Sequence, residues 1–234
     1  MKILQTFILT IFVLISATAV AGNSTETQNR NVKGFSAIKV SSGIDLYLKM
    51  GNTETVEVVA SSSVADKIIT EVKNGTLHIY MKKNKWLNWG GNGARKVYVT
   101  VSQLEELHAS AGADVKTENT LDGKQLEVSS SSGSDVDLDL HYKNCSISAS
   151  SGADAELHGK VKYLNAKASS GSDIDAKDLD TQFCKVHASS GSDISISVSD
   201  ELEAHASSGA DIIYYGNPKM RDIDESSGGD VRSR

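Results

Sequence analysis

One six-residue stretch, Ser-Ser-Gly-Ser-Asp-Ile, occurs twice without change, at 169–174 and at 189–194. Close variants occur along most of the chain, and their central glycines are Gly43, Gly112, Gly133, Gly152, Gly171, Gly191, Gly209 and Gly228. From Gly112 onward, successive glycines are 18 to 21 residues apart. A repeat of this length predicts a solenoid, in which each repeat forms one coil and contacts only its neighbours.

The residues around each glycine indicate which kind of solenoid this is. Apolar or small residues stand seven, five and three positions before the glycine and three positions after it, whereas Ser, Asp, Glu, Lys and His fill the positions between. A period of two is typical of a strand with one buried face, and helical repeats would need a period of 3.6. We therefore predict an all-β fold, a right-handed parallel β-helix of 19–20-residue coils over residues 102–234.

The repeated glycine falls on an outward position where the chain must turn between two strands. We predict that it relieves a bend or bulge, either because its φ angle is positive or because a Cβ atom would clash there. The small residues on both sides of the glycine are predicted to face inward, where the bend brings the walls of the coil close together.

Residues 22–101 contain one copy of the hexamer and otherwise break the period. Alternating runs at 55–59, 76–81 and 96–101 predict strands, Asn74-Gly75 predicts a hairpin turn, and 63–72 predicts a short helix. We expect this β-rich part to cap the first coil, because an open solenoid end exposes strand edges and apolar side chains.

The first 21 residues predict where the protein is found. They combine Lys2, an apolar run over 8–15 and an Ala19-x-Ala21 site, which is the pattern of a secretory signal peptide. No later segment approaches the roughly 20 apolar residues of a membrane span. We expect an exported protein that is periplasmic, in the cell envelope or secreted. Its formal net charge of −6 and the lack of a basic stripe in the sequence argue against nucleic acid as a partner.

An aspartate stands two positions after each repeat glycine. In a parallel β-helix these aspartates form a column with a spacing of about 4.8 Å, at which carboxylates repel by roughly 0.8 kcal/mol per pair even in bulk water. Calcium, which binds carboxylate oxygens, is one candidate for compensation, with Asp135, Asp137, Asp154, Asp173 and Asp193 as its candidate ligands. The alternative is a solvated acidic face whose side chains hydrogen-bond their own turns.

The spacing of these carboxylates is also that of retaining glycosidases. However, every coil carries the same aspartate, whereas acid–base catalysis needs two carboxylates in different environments. The sequence holds no metalloprotease helix, nucleophile elbow, phosphate loop or dinucleotide fingerprint. We therefore expect a non-enzymatic protein without a cofactor. The alternative is a polysaccharide-binding or polysaccharide-cleaving β-helix protein, which a groove lined by aromatic and basic side chains would favour.

Both tryptophans, Trp86 and Trp89, lie in a glycine-rich stretch between two predicted strands. Exposed aromatic side chains on a loop can stack on sugars or contact a protein partner. The alternative is that these side chains cover the open end of the first coil. Trp86 and Trp89 are therefore candidate binding residues.

Cys145 and Cys184 share one inward position, two coils apart. Their predicted separation of roughly 9–10 Å exceeds the Cα limit of about 7 Å for a disulfide. We predict buried free thiols that pack as small apolar side chains.

Four local motifs together resemble a known family. They are FSAIKV at 35–40 leading into Gly43-Ile44-Asp45, NGTL at 74–77, the serial Ser-x-Gly-x-Asp units, and YYGNP at 214–218. The chain resembles the head GIN domain proteins, exported bacterial proteins common in Bacteroidetes that are labelled putative autotransporter adhesins. Its triplet is Gly-Ile-Asp instead of the name-giving Gly-Ile-Asn. The resemblance implies a β-helical exported protein with an adhesin-type function and a protein or glycan partner.

Overall fold

The computed structural model of the chain describes residues 24–82 and 93–234. Its strands are β1 (Thr25–Arg30), β2 (Ala37–Ser41), β3 (Asp45–Met50), β4 (Thr55–Ser61), β5 (Ile68–Lys73), β6 (Thr76–Met81), β7 (Arg95–Val101), β8 (Glu106–Ser110), β9 (Asp114–Thr117), β10 (Leu121–Ser131), β11 (Asp135–Ser150), β12 (Asp154–Ser169), β13 (Asp173–Ser189), β14 (Asp193–Ser207), β15 (Asp211–Tyr215), β16 (Met220–Ser226) and β17 (Asp230–Ser233). One short 3-10 helix, Ala65–Lys67, precedes β5. All seventeen strands belong to one sheet.

The repeats stack as parallel coils. Strand β11 pairs with β12, β12 with β13 and β13 with β14, each in parallel. Equivalent residues of the repeats are in register, apart from irregularities after Glu156 in the second pair and after Ala176 and Thr181 in the third. Equivalent positions therefore lie directly above one another, as Val136 lies above Ala155 and Ala155 above Ile174. The predicted all-β solenoid of stacked parallel coils is confirmed.

The core runs along the axis of the solenoid. It contains the apolar residues at the odd positions of each repeat, which are buried in coil after coil. One such column consists of Leu126, Cys145, Leu164, Cys184 and Leu202, each at most 4% exposed. The period of two in the sequence thus separates the core face from the solvent face, as predicted.

Each repeat glycine sits at a tight corner between two strands. Gly171 has a φ of 64° and a Cβ added there would meet no atom within 4 Å, so the left-handed backbone, and not a clash, requires glycine. The preceding Ser170 is left-handed as well, with a φ of 59°. The expectation that both flanking residues face inward is wrong for Ser170, which is exposed, and right for Ser172, which is buried. Two consecutive left-handed residues turn the chain so that the first projects into solvent.

Parallel stacking also includes part of residues 22–101. Strands β2 and β3, which flank the corner at Gly43, pair in parallel with β8 and β9 on one side and with β6 and β7 on the other. The order of stacking therefore differs from the order along the chain. Strands β5, β4 and β1 add antiparallel pairs to β6, β7 and β4. From the sequence, we expected a cap at this end of the solenoid. The antiparallel strands lie there.

Two local predictions for this part have different outcomes. The hairpin at Asn74-Gly75 is confirmed, since both residues have positive φ and Lys73 pairs with Thr76. The short helix expected over 63–72 is wrong beyond the single 3-10 turn, because residues from Ile68 onward pair with β6 as strand β5. Tertiary pairing overrides the local preference there.

At the other end, the last coil carries charged residues at positions that are apolar elsewhere. Arg221 takes the place held by leucine or cysteine in other coils and donates a hydrogen bond to the Tyr214 hydroxyl at 3.1 Å. Glu225 takes an alanine position and accepts a hydrogen bond from the Val231 amide at 2.7 Å. Among the described residues, β16 pairs only with β14 and β17 only with β15, so their outer edges are unpaired. Inward charges of this kind oppose edge-to-edge association.

Candidate functional site

The aspartates two positions after the repeat glycines form one continuous ladder on the outside of the solenoid. In stacking order its members are Asp45, Asp114, Asp135, Asp154, Asp173, Asp193, Asp211 and Asp230. Each is opposite the next in the strand register, which confirms the column predicted from the sequence. We refer to these eight residues as the aspartate ladder.

Cations lie at both ends of the aspartate ladder. The strand register places Lys96 beside Asp45, and at the opposite end Arg232 contacts Asp211 and Asp230, each at 2.7 Å. In the neighbouring column, Lys116 contacts Asp137 at 2.6 Å and Lys177 pairs with Asp175. These basic residues offset part of the repulsion between the carboxylates.

Asp114 shows the repulsion that remains. Partial burial, followed by the charges of Asp135 and Asp45, raises the pKa of the Asp114 carboxyl above its ordinary value. The ionised form of Asp114 is therefore disfavoured, first by burial and then by the neighbouring carboxylates, and the lysines and the arginine named above lie against other aspartates.

The five candidate calcium ligands are divided between two columns. Asp135, Asp154, Asp173 and Asp193 belong to the aspartate ladder, whereas Asp137 lies in the adjacent column and is paired with Lys116. In residues 24–82 and 93–234, no three acidic, histidine or cysteine side chains converge as a metal site requires. Calcium binding at these residues stays a prediction, which a calcium-dependent change in melting temperature would test. The other predicted site residues, Trp86 and Trp89, lie outside the described residues, so their role also stays a prediction.

A groove on a different face of the solenoid carries exposed aromatic rings. It has a volume of about 560 Å³ and crosses the coils from β10 to β14. Tyr163 and Phe183 lie at equivalent positions of adjacent coils, with ring centroids 4.8 Å apart and planes 17° apart. Tyr163 is 38% exposed, and the Lys162 ammonium lies 5.1 Å from its ring centroid and 5.9 Å from that of Phe183. We refer to this groove as the aromatic groove.

Polar side chains line the rest of the aromatic groove. Asn144 and Glu201 flank the two rings in the same column, one coil before Tyr163 and one coil after Phe183. In the parallel column, Asn165 lies between Ser146 and Lys185. The arrangement combines an apolar platform with hydrogen-bonding groups on the wall beside it, which is typical of ligand-binding grooves.

One polar atom in this groove has no hydrogen-bond partner. The Asn165 Oδ1 atom is inaccessible to solvent, and no described residue donates a hydrogen bond to it. Most buried polar atoms in proteins have a partner, and each exception calls for an explanation. The wall of the aromatic groove therefore contains one acceptor that the protein itself leaves unused.

Sequence reasoning missed the aromatic groove. Tyr163 and Phe183 each stand eight positions before a repeat glycine, so the same count that located the core would have placed them one above the other. The signal was concealed because three other coils carry the polar residues Gln125, Asn144 and Glu201 at this position.

The two cysteines are buried and free, as predicted. Leu164 lies between Cys145 and Cys184 in the register, which confirms that the thiols are two coils apart. Burial raises the pKa of each thiol to about 12. These groups are protonated at neutral pH and pack as part of the core.

The fold and its exposed ladders place the chain among the β-solenoid repeat proteins. Residues 34–218 match the family described as "Putative auto-transporter adhesin, head GIN domain". The chain belongs to this family, and the resemblance seen in the sequence is confirmed. The family's description suggests an extracellular or surface protein.

Solved structures show the same fold. The chain is similar to a putative adhesin from Bacteroides fragilis, with a TM-score of 0.84, 19% identity and coverage of 91% of this chain and 98% of that one. It is also similar to a putative lipid binding protein and a putative adhesin, both from Parabacteroides distasonis. The first has a TM-score of 0.72 and 19% identity and covers 92% and 98% of the two chains, and the second has a TM-score of 0.73 and 18% identity and covers 91% and 98%.

Two further comparisons give negative results. No curated protein shows significant similarity to this chain. Within the described ranges, no helix is long and apolar enough to cross a membrane.

Proposed function

We propose that this chain is a non-enzymatic, exported binding protein that acts as an adhesin or interaction protein at the cell envelope. The observation that carries this proposal is the long outer wall of the solenoid, where side chains of equivalent positions form ladders over many coils. Solenoids use such extended surfaces to bind partners. The family's description as an adhesin supports the same function.

The chemistry of the aspartate ladder supports a non-enzymatic function. Neighbouring carboxylates such as Asp154 and Asp173 occupy equivalent positions of adjacent coils and lie on the same exposed wall. A glycosidase needs one carboxyl that holds its proton and one that is ionised, which requires two different environments. The repeat gives both carboxylates similar surroundings, so neither is set apart as an acid.

Polysaccharide binding is a second candidate function, because the aromatic groove has the aromatic and basic side chains that favour it. Tyr163 and Phe183 form its platform, and Lys162 and Lys185 lie beside or within it. This function is compatible with the first, since an adhesin can bind its target through a glycan.

Binding to intact cells tests the proposed function. We expect the fluorescently labelled exported protein to bind bacterial or epithelial cells saturably, as measured by flow cytometry, and the unlabelled protein to compete. The control is an unrelated all-β protein of similar size and net charge. Labelling of both cell types no stronger than with this control would contradict an adhesin function.

A further inference from the structure

We infer that the aromatic groove binds a neutral polysaccharide chain, with the rings of Tyr163 and Phe183 as its stacking platform. This inference rests on the proposed binding function and names the class of ligand. It assigns the ligand to a part of the surface that the aspartate ladder does not occupy.

The outer face of each ring, on the side away from the other ring, has no aromatic neighbour. They stack on each other, but their outer neighbours in the column are Asn144 and Glu201, which are not aromatic. Tyr163 remains 38% exposed beside the shorter Asn144 side chain, with the Lys162 ammonium 5.1 Å from its ring centroid. An aromatic face is electron-rich and therefore attracts the weakly positive C–H groups on the apolar side of a pyranose ring.

Hydrogen-bonding groups lie in the column beside the two rings. The unpartnered Asn165 Oδ1 belongs to the column beside the rings, between Ser146 and Lys185. Because the Asn165 Oδ1 atom is inaccessible to solvent, a ligand hydroxyl can donate to it only if the half-buried amide rotates about its last side-chain bond. A carbohydrate supplies such donors next to its apolar face, whereas a purely apolar ligand would leave Asn165 without a partner.

The charges in the aromatic groove favour a neutral chain over an acidic one. Three carboxylates, Glu127, Glu201 and Glu203, line the groove. Two cations face them: Lys185, which is paired with Glu203 at 2.5 Å, and Lys162 beside the rings. A uronic acid or sulfated sugar would add negative charge beside these carboxylates. Neutral hydroxyls can instead donate hydrogen bonds to them.

The direction of the groove favours a linear polymer. The groove includes residues of five successive coils, from Gln125 through Asn144, Tyr163 and Phe183 to Glu201. Coils of a parallel solenoid are about 4.8 Å apart, which is close to the length of one sugar in an extended chain. A chain parallel to the axis can therefore run past successive coils, and a sugar can pack against the outer face of either ring.

Affinity electrophoresis and calorimetry test the inference. The exported protein is run through gels containing hydroxyethyl cellulose, galactomannan, xyloglucan or arabinoxylan, with alginate and chondroitin sulfate as acidic polymers, and calorimetry gives Kd for any retarding polymer. We expect at least one neutral polymer to bind more tightly than both acidic ones. Tyr163→Ala and Phe183→Ala should each weaken this binding about tenfold or more, as for an anchor residue at the centre of a site.

Two control variants separate loss of the platform from loss of the fold. Tyr163→Leu retains apolar area without a ring and should bind as weakly as Tyr163→Ala. Tyr47→Ala disrupts a second stacked pair, Tyr47 and Tyr98, whose centroids are also 4.8 Å apart but which lies beside the aspartate ladder. This variant should retain wild-type affinity.

Three outcomes would overturn the inference: no retardation by any neutral polymer, tighter binding of the acidic polymers, or equal affinity of the wild type and Tyr163→Ala. If binding to cells persists while no polymer binds, the ligand class is wrong and the binding function stands. If neither cells nor polymers bind, both proposals fail.

Discussion

At every corner that carries a repeat glycine, two consecutive residues have a left-handed backbone, and the first of them is never glycine. The pairs include Ala111–Gly112, Ser132–Gly133 and Ser170–Gly171. A left-handed conformation costs an L-residue roughly 1–2 kcal/mol. Hydrogen bonds between adjacent corners, such as the Gly171 amide to the Ser190 carbonyl at 3.2 Å, help to offset this cost.

Gly171 and Gly159 lie in different environments, so replacing each with alanine should lower the free energy of unfolding by different amounts. Gly171→Ala places a Cβ in open space and should cost about 1–2 kcal/mol from its φ of 64° alone. Gly159→Ala places a Cβ 2.3 Å from the Leu140 carbonyl oxygen, so the backbone must shift as well, and it should cost about 3 kcal/mol or more. Urea unfolding of the two variants measures the difference, and equal costs would contradict this account of the corners.

The same logic applies to larger side chains at the corner. Gly171→Val adds a β-branched residue to a left-handed position, which such residues rarely occupy. It should lower the melting temperature more than Gly171→Ala does. An unchanged melting temperature would show that the corner does not need glycine.

The buried serine after the corner glycine links adjacent turns. The Ser172 hydroxyl can donate to the carbonyl of Ala149 or of Ser169, both at 2.9 Å, and it accepts a hydrogen bond from the Ser169 amide at 3.1 Å. Ser172→Ala should cost about 1–2 kcal/mol, because it leaves buried backbone groups without this partner. Alanine fits the position sterically, since Ala153 occupies it one coil earlier.

Ser170→Ala is the matched control for this prediction. Ser170 is exposed, and Ala111 occupies the equivalent position in another coil. The control should change the free energy of unfolding by less than about 0.5 kcal/mol. Equal effects of the two substitutions in chemical denaturation would show that the Ser172 hydrogen bonds contribute nothing.

At the scale of strands and ladders, the aspartate ladder is a source of electrostatic strain at Asp114. Because its pKa is raised in the folded protein, the ionised carboxylate destabilises the fold, and this penalty disappears as the pH falls through the folded-state pKa. Asp114→Asn should therefore raise the melting temperature at pH 7, by an amount equivalent to less than about 1 kcal/mol since the group is largely exposed. The gain should vanish at strongly acidic pH and shrink in high salt.

Asp230→Asn provides the contrast within the same ladder. Asp230 is paired with Arg232 at 2.7 Å, so its removal should give no gain at pH 7. Melting curves of both variants between pH 3 and pH 8 separate the two cases. A gain for Asp230→Asn equal to that for Asp114→Asn would contradict the assignment of strain to Asp114.

The strands also show which features of the fold a local sequence pattern predicts and which it does not. Strands β4, β6 and β7 lie where alternating runs predicted them, because the period of two is a local signal. The stacking of β2 and β3 between β6–β7 and β8–β9 is a non-local arrangement. It depends on which strand edges pair with each other, and a run of alternating residues does not specify its partner strand.

At the scale of the whole molecule, the repeat sets the architecture, and departures from the repeat carry the candidate functions. The core columns and the aspartate ladder follow directly from the recurring positions of each coil. Tyr163 and Phe183 interrupt a column that is otherwise mostly polar, so a pattern averaged over coils conceals them. The charged residues Arg221 and Glu225 of the last coil are a second departure, at an edge with which no described strand pairs.

Measuring binding and cleavage of the same polysaccharide in one tube distinguishes a binding protein from an enzyme. The exported protein is incubated with the neutral polymer that retards it most strongly, and bound polymer and newly formed reducing ends are both quantified over time. We predict that the polymer is bound, that Tyr163→Ala reduces the bound fraction, and that reducing ends do not rise above those of a protein-free control. A rise in reducing ends that scales with protein concentration and is abolished by Asp154→Asn would contradict the account, because it would show that the ladder is catalytic.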